Sequence, residues 1–409
     1  MTGRRVAITG LGVVSAVGTG VDRFWSALAE GRHGFAPFDA VDRSLMRFEN
    51  GAEIKDFRPL DHFEPKHADS MDRFAQLALV AAREALKCSG LEFSDAIRDR
   101  TAVITGSCLG GQCSEDRLFE EIYRENRNRA HPLSVARIMA NAATSHIAIE
   151  FGFHGPAYTV SSACSSSNHA IGQAYWLVRS GVADAAITGG SEATFSLIHL
   201  KSWEAMRVVA AEVCRPFSKD RRGMMLGEGA GMLVLEPWDA ALARGARILG
   251  EIVGFGMSSD ASHLTMPSAE GAARAIQSAI SDARLTPERV GYINAHGTGT
   301  QANDAMETRA IRAIFGAHAD QLAISSTKSM HGHALGASAA LEAVATVMAL
   351  REGLLPPTAN YNEKDPECDL DVIPNTARRA DVEFALSNSF AFGGLNAVVA
   401  FRRGEPASS

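Results

Sequence analysis

The chain alternates short, almost wholly apolar runs with longer segments in which apolar residues recur every three or four positions. The apolar runs at residues 6–10, 102–106 and 185–190 each end in glycine, which is typical of strands buried on both faces of a sheet. Residues 72–86 form a helical pattern, one face of which carries Phe74, Leu77, Ala78, Ala81 and Ala85. The alternation of the two patterns predicts an α/β fold.

The same alternation returns in the second half of the chain. Its predicted elements are strands at residues 290–295, 322–326 and 385–389 and a strongly apolar helix at residues 337–350. No proline-rich, serine-rich or charge-block linker separates the two halves. We therefore expect one compact unit made of two related halves, residues 1–250 and residues 251–409.

An early Gly10-Leu11-Gly12 segment invites comparison with a dinucleotide-binding loop. The third glycine of that motif is missing, and no clear acidic residue ends a second strand about 20 residues later. We interpret the segment instead as a junction between a strand and a turn.

Composition narrows the class of protein further. The chain has 409 residues, of which 46% are hydrophobic and 21% charged, and its net charge is −7. This balance argues against a nucleic-acid binder, and no apolar stretch approaches the roughly 20 residues that cross a bilayer. The 6 cysteines include no CxxC pair and no Cys/His metal spacing, so we expect no metal, no disulfide framework and a reducing, cytoplasmic setting.

Cys164 is the best candidate for a nucleophile. It lies in the segment 159–167, which joins a short predicted strand to a helix that begins near Ser165 and ends before Gly181. At a helix N-terminus, unpaired N–H groups and the helix dipole favour a thiolate, so we expect a lowered thiol pKa. The alternative is a buried structural cysteine, which is what most free cysteines are.

Three later segments place polar groups at the ends of predicted strands, where open α/β sheets bind ligands. They are residues 294–300 with His296, residues 328–337 with Lys328 and His333, and residues 387–396 with a glycine-rich turn. A thiolate with two histidines suits acyl transfer, because histidine N–H groups can stabilise negative charge on a thioester oxygen. Lys328 can tune the histidines, and Glu342 can neutralise or orient that cluster. A single histidine, taken alone, is more often a surface or core residue.

Together these segments closely resemble the elongating β-ketoacyl-acyl carrier protein synthases, the type I/II condensing enzymes of the thiolase superfamily. The similarity extends over nearly the whole chain and includes Gly-Glu-Gly-Ala-Gly at residues 227–231. The sequence segments around Cys164, His331 and Ala391 most closely resemble those of the nodulation protein E subfamily. The resemblance implies a thiolase-like layered αβαβα fold built from two pseudo-repeated halves.

The resemblance also implies a reaction. Cys164 would accept an acyl group from acyl carrier protein, and His296 and His333 would bind the malonyl thioester, promote its decarboxylation and stabilise the resulting enolate. The product would be a 3-ketoacyl thioester of the carrier protein, made for fatty-acid or specialised acyl-chain synthesis. No metal or other cofactor is required by this chemistry, and the family is homodimeric.

Further roles follow from the matching positions. Lys328 and Glu342 occupy positions that have a supporting role in the family. The N–H groups of Cys164 and Phe392 match those of the family's oxyanion hole, and Phe392 matches the gating aromatic residue. The positions that would bind substrate are Thr298 and Thr300 for the pantetheine arm, Leu109 near the floor of the acyl pocket, and Phe390.

The chain departs from the family pattern at several places. His331 replaces a threonine and adds a titratable group next to His333, and Ala391 and Leu395 replace a glycine and a threonine beside the gate. Asp69-Ser70 stands where the family often has a basic pair that docks the carrier protein. Docking could use other basic residues, for which the candidates are Lys66, Arg127, Arg129 and Arg207.

Two other functions remain open from sequence. A chain-length-factor-like subunit shares the fold and shapes a partner's pocket, but such subunits lack the nucleophilic cysteine. A degradative thiolase uses a second active-site cysteine late in the chain, and the one late cysteine, Cys368, lies in a charged turn.

Overall fold

The computed structural model describes residues 3–404. Within this range an 11-stranded sheet runs through the molecule, and one of its members is the two-residue strand Gly18–Thr19. The longer strands are β1 Val6–Ser15, β2 Thr101–Gly106, β3 Ala157–Val160, β4 Ala185–Glu192, β5 Gly229–Pro237, β6 Gly250–Ser259, β7 Val290–Asn294, β8 Ala323–Ser325, β9 Phe384–Ala391 and β10 Leu395–Arg403.

Helices cover the sheet and fill the space between its halves. The longer ones are α1 Val21–Ala29, α2 Arg73–Ser89, α3 Gln112–Phe119, α4 Ala142–Phe151, α5 Ser166–Ser180, α6 Leu197–Met206, α7 Ala269–Asp282, α8 Gln301–Phe315 and α9 Ser338–Glu352. Shorter helices lie at Pro65–Asp69, Asp95–Arg98, Ser134–Ile138, Trp238–Ala243 and Lys328–His331.

The strand order reveals an internal repeat. Across the sheet it is β8-β7-β9-β10-β6-β1-β5-β4-β2-β3. Read outward from the centre, the first half is β1-β5-β4-β2-β3 and the second is β6-β10-β9-β7-β8, which is the same order. In both halves the inner pairs are antiparallel and the outer pairs parallel. The halves join where β1 and β6 pair antiparallel at the centre.

Three layers of helices alternate with the two halves of the sheet. Helices α2 and α4 pack on the outer face of the first half, and α7 and α8 pack on the second. Between the halves lie α5 and α9, and every residue from Ser338 to Leu350 is buried. A helix that is buried on all sides belongs in the middle of a layered fold. The predicted αβαβα fold from two pseudo-repeated halves is confirmed.

Most predicted elements are present, with shifted ends. The helix predicted at residues 72–86 runs from Arg73 to Ser89, with the Asp72 carboxylate accepting a hydrogen bond from the Phe74 N–H. The helix predicted at 337–350 is α9, and the strand predicted at 322–326 is the shorter β8. Residues 1–2 and 405–409, at the ends of the two expected halves, lie outside the described residues.

The interpretation of Gly10-Leu11-Gly12 as a strand-to-turn junction is wrong. These residues lie inside β1, which continues to Ser15. The physical reason is the close approach of α2: a Cβ added at Gly10 would stand 2.1 Å from the carbonyl oxygen of Ala85, and one at Gly12 would stand 2.0 Å from that of Ala81. Glycine inside a strand often marks such an approach of another backbone.

Among residues 3–404, no helix is long and apolar enough to cross a membrane.

The close packing of α2 on β1 yields a stability prediction. Replacing Gly12 with alanine forces α2 away from the sheet, so the free energy of unfolding should fall by about 2–3 kcal/mol, measured from urea denaturation midpoints. Gly250→Ala in β6 is the matched control, since its added Cβ meets nothing nearer than 3.3 Å. Equal stability of the two variants would contradict this account of the packing.

Candidate active site

The predicted site residues meet at one edge of the sheet. Cys164 lies between the end of β3 and the start of α5, and Ala163 before it has φ 51°. His296 lies just beyond β7, while the segment from Lys328 to His333 follows β8. These strands are parallel to neighbours in their own half of the sheet, so their carboxyl ends present loops to a common region.

A cavity of about 550 Å³ opens between these loops. Its lining includes the predicted residues Cys164, His296, His333, Thr298, Thr300, Phe390 and Phe392. Leu109, Lys328 and Glu342 do not line it. Leu109 belongs to the apolar cluster that also contains Cys164, and the other two lie buried behind His296. A larger cavity of about 720 Å³ lies beside α1 and shares none of these residues.

The environment of Cys164 differs from the sequence expectation. The backbone N–H groups of Cys164 and Phe392 and the nearby Lys328 favour the thiolate, yet burial dominates and raises the pKa of the thiol to about 11. Helix α5 begins at Ser166, so Cys164 precedes its first turn. The prediction of a lowered thiol pKa is therefore wrong, because desolvation of the thiolate outweighs the three favourable groups.

A buried ion pair supports the first histidine. The Lys328 ammonium, which is fully buried, donates to the His296 carbonyl oxygen at 2.7 Å and also binds the Glu342 carboxylate. The same ammonium lies 3.2 Å from Nδ1 of His296. An ammonium donates and cannot accept, so Nδ1 is the acceptor and the ring proton of His296 is on Nε2.

The second histidine faces the first. The rings of His296 and His333 have centroids 5.5 Å apart and an interplanar angle of 85°. Nδ1 of His333 lies 2.7 Å from Oγ of Ser338. Burial, followed by the charge of Lys328, holds the pKa of both histidines well below the usual value, so both rings are neutral.

His331 does not join this pair. Its Nδ1 lies 2.8 Å from the Gly332 carbonyl oxygen, and its Nε2 lies 3.0 Å from Oγ1 of Thr327. Burial and the charge of Lys328 lower its pKa to about 3. The residue therefore stays neutral and acts as a hydrogen-bonding member of the turn between Lys328 and His333, outside the cavity lining.

Loops on either side of the cavity are held by buried charged groups. The Thr298 and Thr300 hydroxyls are 2.9 Å apart, and the buried Arg221 donates to the Thr300 carbonyl oxygen at 3.3 Å while it pairs with Asp365. On the other side, the Glu192 carboxylate accepts from the N–H of Leu109 at 3.1 Å.

Phe392 stands at the mouth of the cavity. Its ring stacks on Trp203, with centroids 5.8 Å apart and an interplanar angle of 26°, and it is about one-third exposed (36%). The next residue, Gly393, has φ 81° and donates its N–H to the Leu264 carbonyl oxygen at 2.7 Å. The glycine-rich turn is thus tied to a neighbouring loop that also lines the cavity.

Sequence reasoning missed several residues that hold the site together. The Glu307 carboxylate accepts from the N–H groups of His296 and Gly297, at 2.9 and 2.8 Å. The Ser389 hydroxyl donates to the Cys164 carbonyl oxygen at 3.0 Å. Trp203 and Ser338 were also missed. Of these residues, only Ser338 could have been singled out from the sequence, because it lies at the start of the predicted apolar helix, five residues after His333.

Cys368 does not contribute to this site. It is buried in the apolar cluster formed around α7 and α8 and is absent from the cavity lining. Among residues 3–404, Cys164 is the one cysteine in the cavity lining, so the late second thiol that a degradative thiolase uses is not found there.

A layered fold of two repeated halves, with a cysteine and two neutral histidines in one cavity, defines the class of acyl-transferring condensing enzymes. Residues 3–241 match the family described as beta-ketoacyl synthase, N-terminal domain, and residues 249–362 match beta-ketoacyl synthase, C-terminal domain. The chain belongs to the β-ketoacyl synthase family.

Individual relatives agree with this assignment. The chain is 47% identical to nodulation protein E of Rhizobium sp. (strain N33), covering 98% of this chain and 99% of the relative. It is 42% identical to 3-oxoacyl-[acyl-carrier-protein] synthase 2 of Synechocystis sp., covering 98% of each. A solved type II PKS ketosynthase, in complex with its acyl-carrier protein, superposes with TM-score 0.90 at 31% identity, over 98% of this chain and 100% of that one.

The Lys328–Glu342 pair yields a second stability prediction. Burial raises the pKa of Glu342 to about 7 even beside Lys328, so Lys328→Met leaves this side chain without its partner in the core and forces it to protonate. The free energy of unfolding should fall by about 3–5 kcal/mol in urea denaturation. The double variant Lys328→Met/Glu342→Leu should regain part of that loss. Arg124→Ala, which removes an exposed ion pair with Glu120, is the control and should change stability by less than about 0.5 kcal/mol. A double variant no more stable than Lys328→Met would refute the pairing.

The raised thiol pKa yields a pH prediction. Because the Cys164 pKa is about 11, only a small fraction is thiolate at pH 7, and that fraction rises about tenfold per pH unit. Iodoacetamide labelling of Cys164, followed by peptide mass spectrometry between pH 7 and 10, should accelerate without a plateau. The Cys164→Ala variant gives the background. A plateau below pH 9 would show that the thiolate is stabilised instead.

Proposed function

We propose that this chain is a 3-oxoacyl-[acyl-carrier-protein] synthase that joins a Cys164-bound acyl chain to a malonyl unit by decarboxylative Claisen condensation. The observation that carries this proposal is the cavity shared by Cys164, His296 and His333, at which two backbone N–H groups converge on the cysteine sulfur.

In the first half of the reaction, Cys164 accepts the acyl group. Its sulfur attacks the thioester carbonyl of the acyl-carrier protein, and the pantetheine sulfur leaves with the thiol proton. The tetrahedral oxyanion accepts hydrogen bonds from the N–H groups of Cys164 and Phe392, which are fixed in the backbone before the substrate arrives. Phe392 lies at the entrance and gates access to the sulfur.

In the second half, the histidines activate the malonyl unit. Nε2–H of His296 and of His333 donate to the malonyl thioester carbonyl, the carboxylate leaves as CO₂, and its bonding electrons form an enolate. The α-carbon then attacks the acyl-cysteine carbonyl and expels the Cys164 sulfur as a thiolate, which yields the 3-ketoacyl thioester. The thiolate takes up a proton from water and returns to the thiol. Neutral histidines suit this role, because they stabilise the enolate by hydrogen bonding without surrendering a full proton to it.

Other residues would bind or support the substrate. Thr298 and Thr300 line the cavity and are proposed to bind the amides of the pantetheine arm, while Phe390 packs near His296 with centroids 6.1 Å apart. Leu109 belongs to the apolar cluster around Cys164 and would limit the acyl chain. Lys328 and Glu342 support His296 from behind. The similar proteins include a nodulation protein and 3-oxoacyl-[acyl-carrier-protein] synthase 2. The proposed pathway is therefore fatty-acid or specialised acyl-chain synthesis.

Acyl carrier protein is the proposed partner, acting on a cytoplasmic homodimer of this chain. Four exposed basic residues are candidates for docking, namely Lys66, Arg127, Arg129 and Arg207. Arg207 is favoured, since it also lines the mouth of the cavity. Asp69 opposes docking less than its charge suggests, because it is paired with Arg137 at 2.6 Å and with His131 at 3.1 Å.

The proposal is tested by following each half of the reaction. Wild-type protein is incubated with carrier proteins loaded with acyl groups of increasing length. Each polypeptide should gain the mass of one acyl group, and Cys164→Ala should gain none. A His296→Ala/His333→Ala variant should still load the acyl group but lose condensation by at least about 10³-fold, because both enolate donors are gone. The measurements are intact-mass spectrometry and chromatography of the 3-ketoacyl product. Absence of acyl loading on wild type with every chain length would refute the proposal.

A further inference from the structure

Ser338 is a buried hydroxyl that contacts one of the two histidines. It is the first residue of α9 and is fully buried. His333 is also buried, with 2% of its surface exposed. Its Oγ lies 2.7 Å from Nδ1 of His333, the nitrogen that faces away from the proposed substrate contact. The two residues are five positions apart, so the turn between them folds the hydroxyl back onto the ring.

The direction of this hydrogen bond follows from what surrounds the hydroxyl. Within residues 3–404, Nδ1 of His333 is the one hydrogen-bond partner of the Ser338 Oγ. If the ring donated, the buried hydroxyl proton would have no acceptor. If the hydroxyl donates, the ring proton is on Nε2, and His333 lines the cavity, where water or substrate can accept from it. A buried donor without a partner is costly, and an acceptor with a free lone pair is less so. The hydroxyl is therefore the donor.

We propose that Ser338 is a positioning residue that donates to Nδ1 of His333 and so keeps the ring proton on Nε2. This inference rests on the proposed function, in which both histidines donate from Nε2. At His296 the same tautomer is imposed by the Lys328 ammonium at Nδ1. Two chemically different donors, an ammonium and a hydroxyl, thus hold the two rings in the same protonation pattern.

The backbone of His333 is held without Ser338. Its N–H donates to the Met225 carbonyl oxygen at 2.7 Å, and its own carbonyl oxygen accepts from the Gly227 N–H at 3.0 Å. Removing the hydroxyl should therefore leave the residue in place and release only the choice of tautomer. Alanine also suits the helical position better than serine does, so Ser338→Ala should fold.

The experiment separates the two halves of the reaction. The rate of Cys164 acylation by acyl-carrier protein is measured by intact mass, and the rate of CO₂ release is measured with malonyl-carrier protein. Ser338→Ala should slow CO₂ release by about 10- to 100-fold, somewhat less than removal of an oxyanion donor, while acylation stays within about twofold. Ser89→Ala, which removes a buried hydroxyl at the end of α2, is the control and should change neither rate.

Rescue identifies the hydroxyl as the cause. Ser338→Thr restores a donor and should recover the rate of CO₂ release. Ser338→Cys has a weaker donor, so its rate should lie between those of Ser338→Ala and the wild type, and it replaces Ser338→Thr as the test if that variant does not fold. Unchanged CO₂ release in Ser338→Ala, or an equal loss in both half-reactions, would overturn the role of Ser338. Absence of CO₂ release from the wild type would instead overturn the proposed function itself.

Discussion

The site depends on one buried charge, the ammonium of Lys328. It has no exposure to solvent, and it binds the Glu342 carboxylate, the His296 carbonyl oxygen and Nδ1 of His296. These contacts join the loop after β7, the turn after β8 and the middle-layer helix α9. A charge so buried is tolerated only when it is paired and hydrogen-bonded, so the surrounding backbone is constrained to keep those partners in place.

The same burial sets the protonation of the cysteine and the two histidines in the cavity. Removal from water raises the pKa of the Cys164 thiol and lowers the pKa of both histidines. Lys328 acts in two directions, since its charge favours the thiolate and disfavours protonated histidine. The proposed reaction therefore rests on a mostly protonated cysteine beside two backbone N–H groups, and on two uncharged histidine rings in the same cavity.

Much of this arrangement could be predicted from sequence, because its signals are local. Apolar runs and helical periodicity predicted the alternating elements, and strand-end motifs predicted that Cys164, His296 and His333 meet. Burial of the thiol could not be predicted, since it depends on packing between both halves of the sheet. The close approach of α2 to Gly12 was missed for the same reason, as was Ser389, which bonds to Cys164 across 225 positions. Glu307 lies only 11 positions from His296, but in helix α8, which was not among the predicted elements. His331 was noted as a titratable neighbour, but only its buried contacts show that it stays neutral.

The most direct test of the account is the balance of products in one reaction. Wild-type protein is supplied with acyl- and malonyl-loaded carrier protein, and CO₂ and 3-ketoacyl product are quantified together over time. If Cys164 and the two histidines act in one cavity on one pair of substrates, CO₂ and 3-ketoacyl product will accumulate in a one-to-one ratio. Steady CO₂ release with no 3-ketoacyl product, or neither, would contradict the assignment of this cavity to carbon–carbon bond formation.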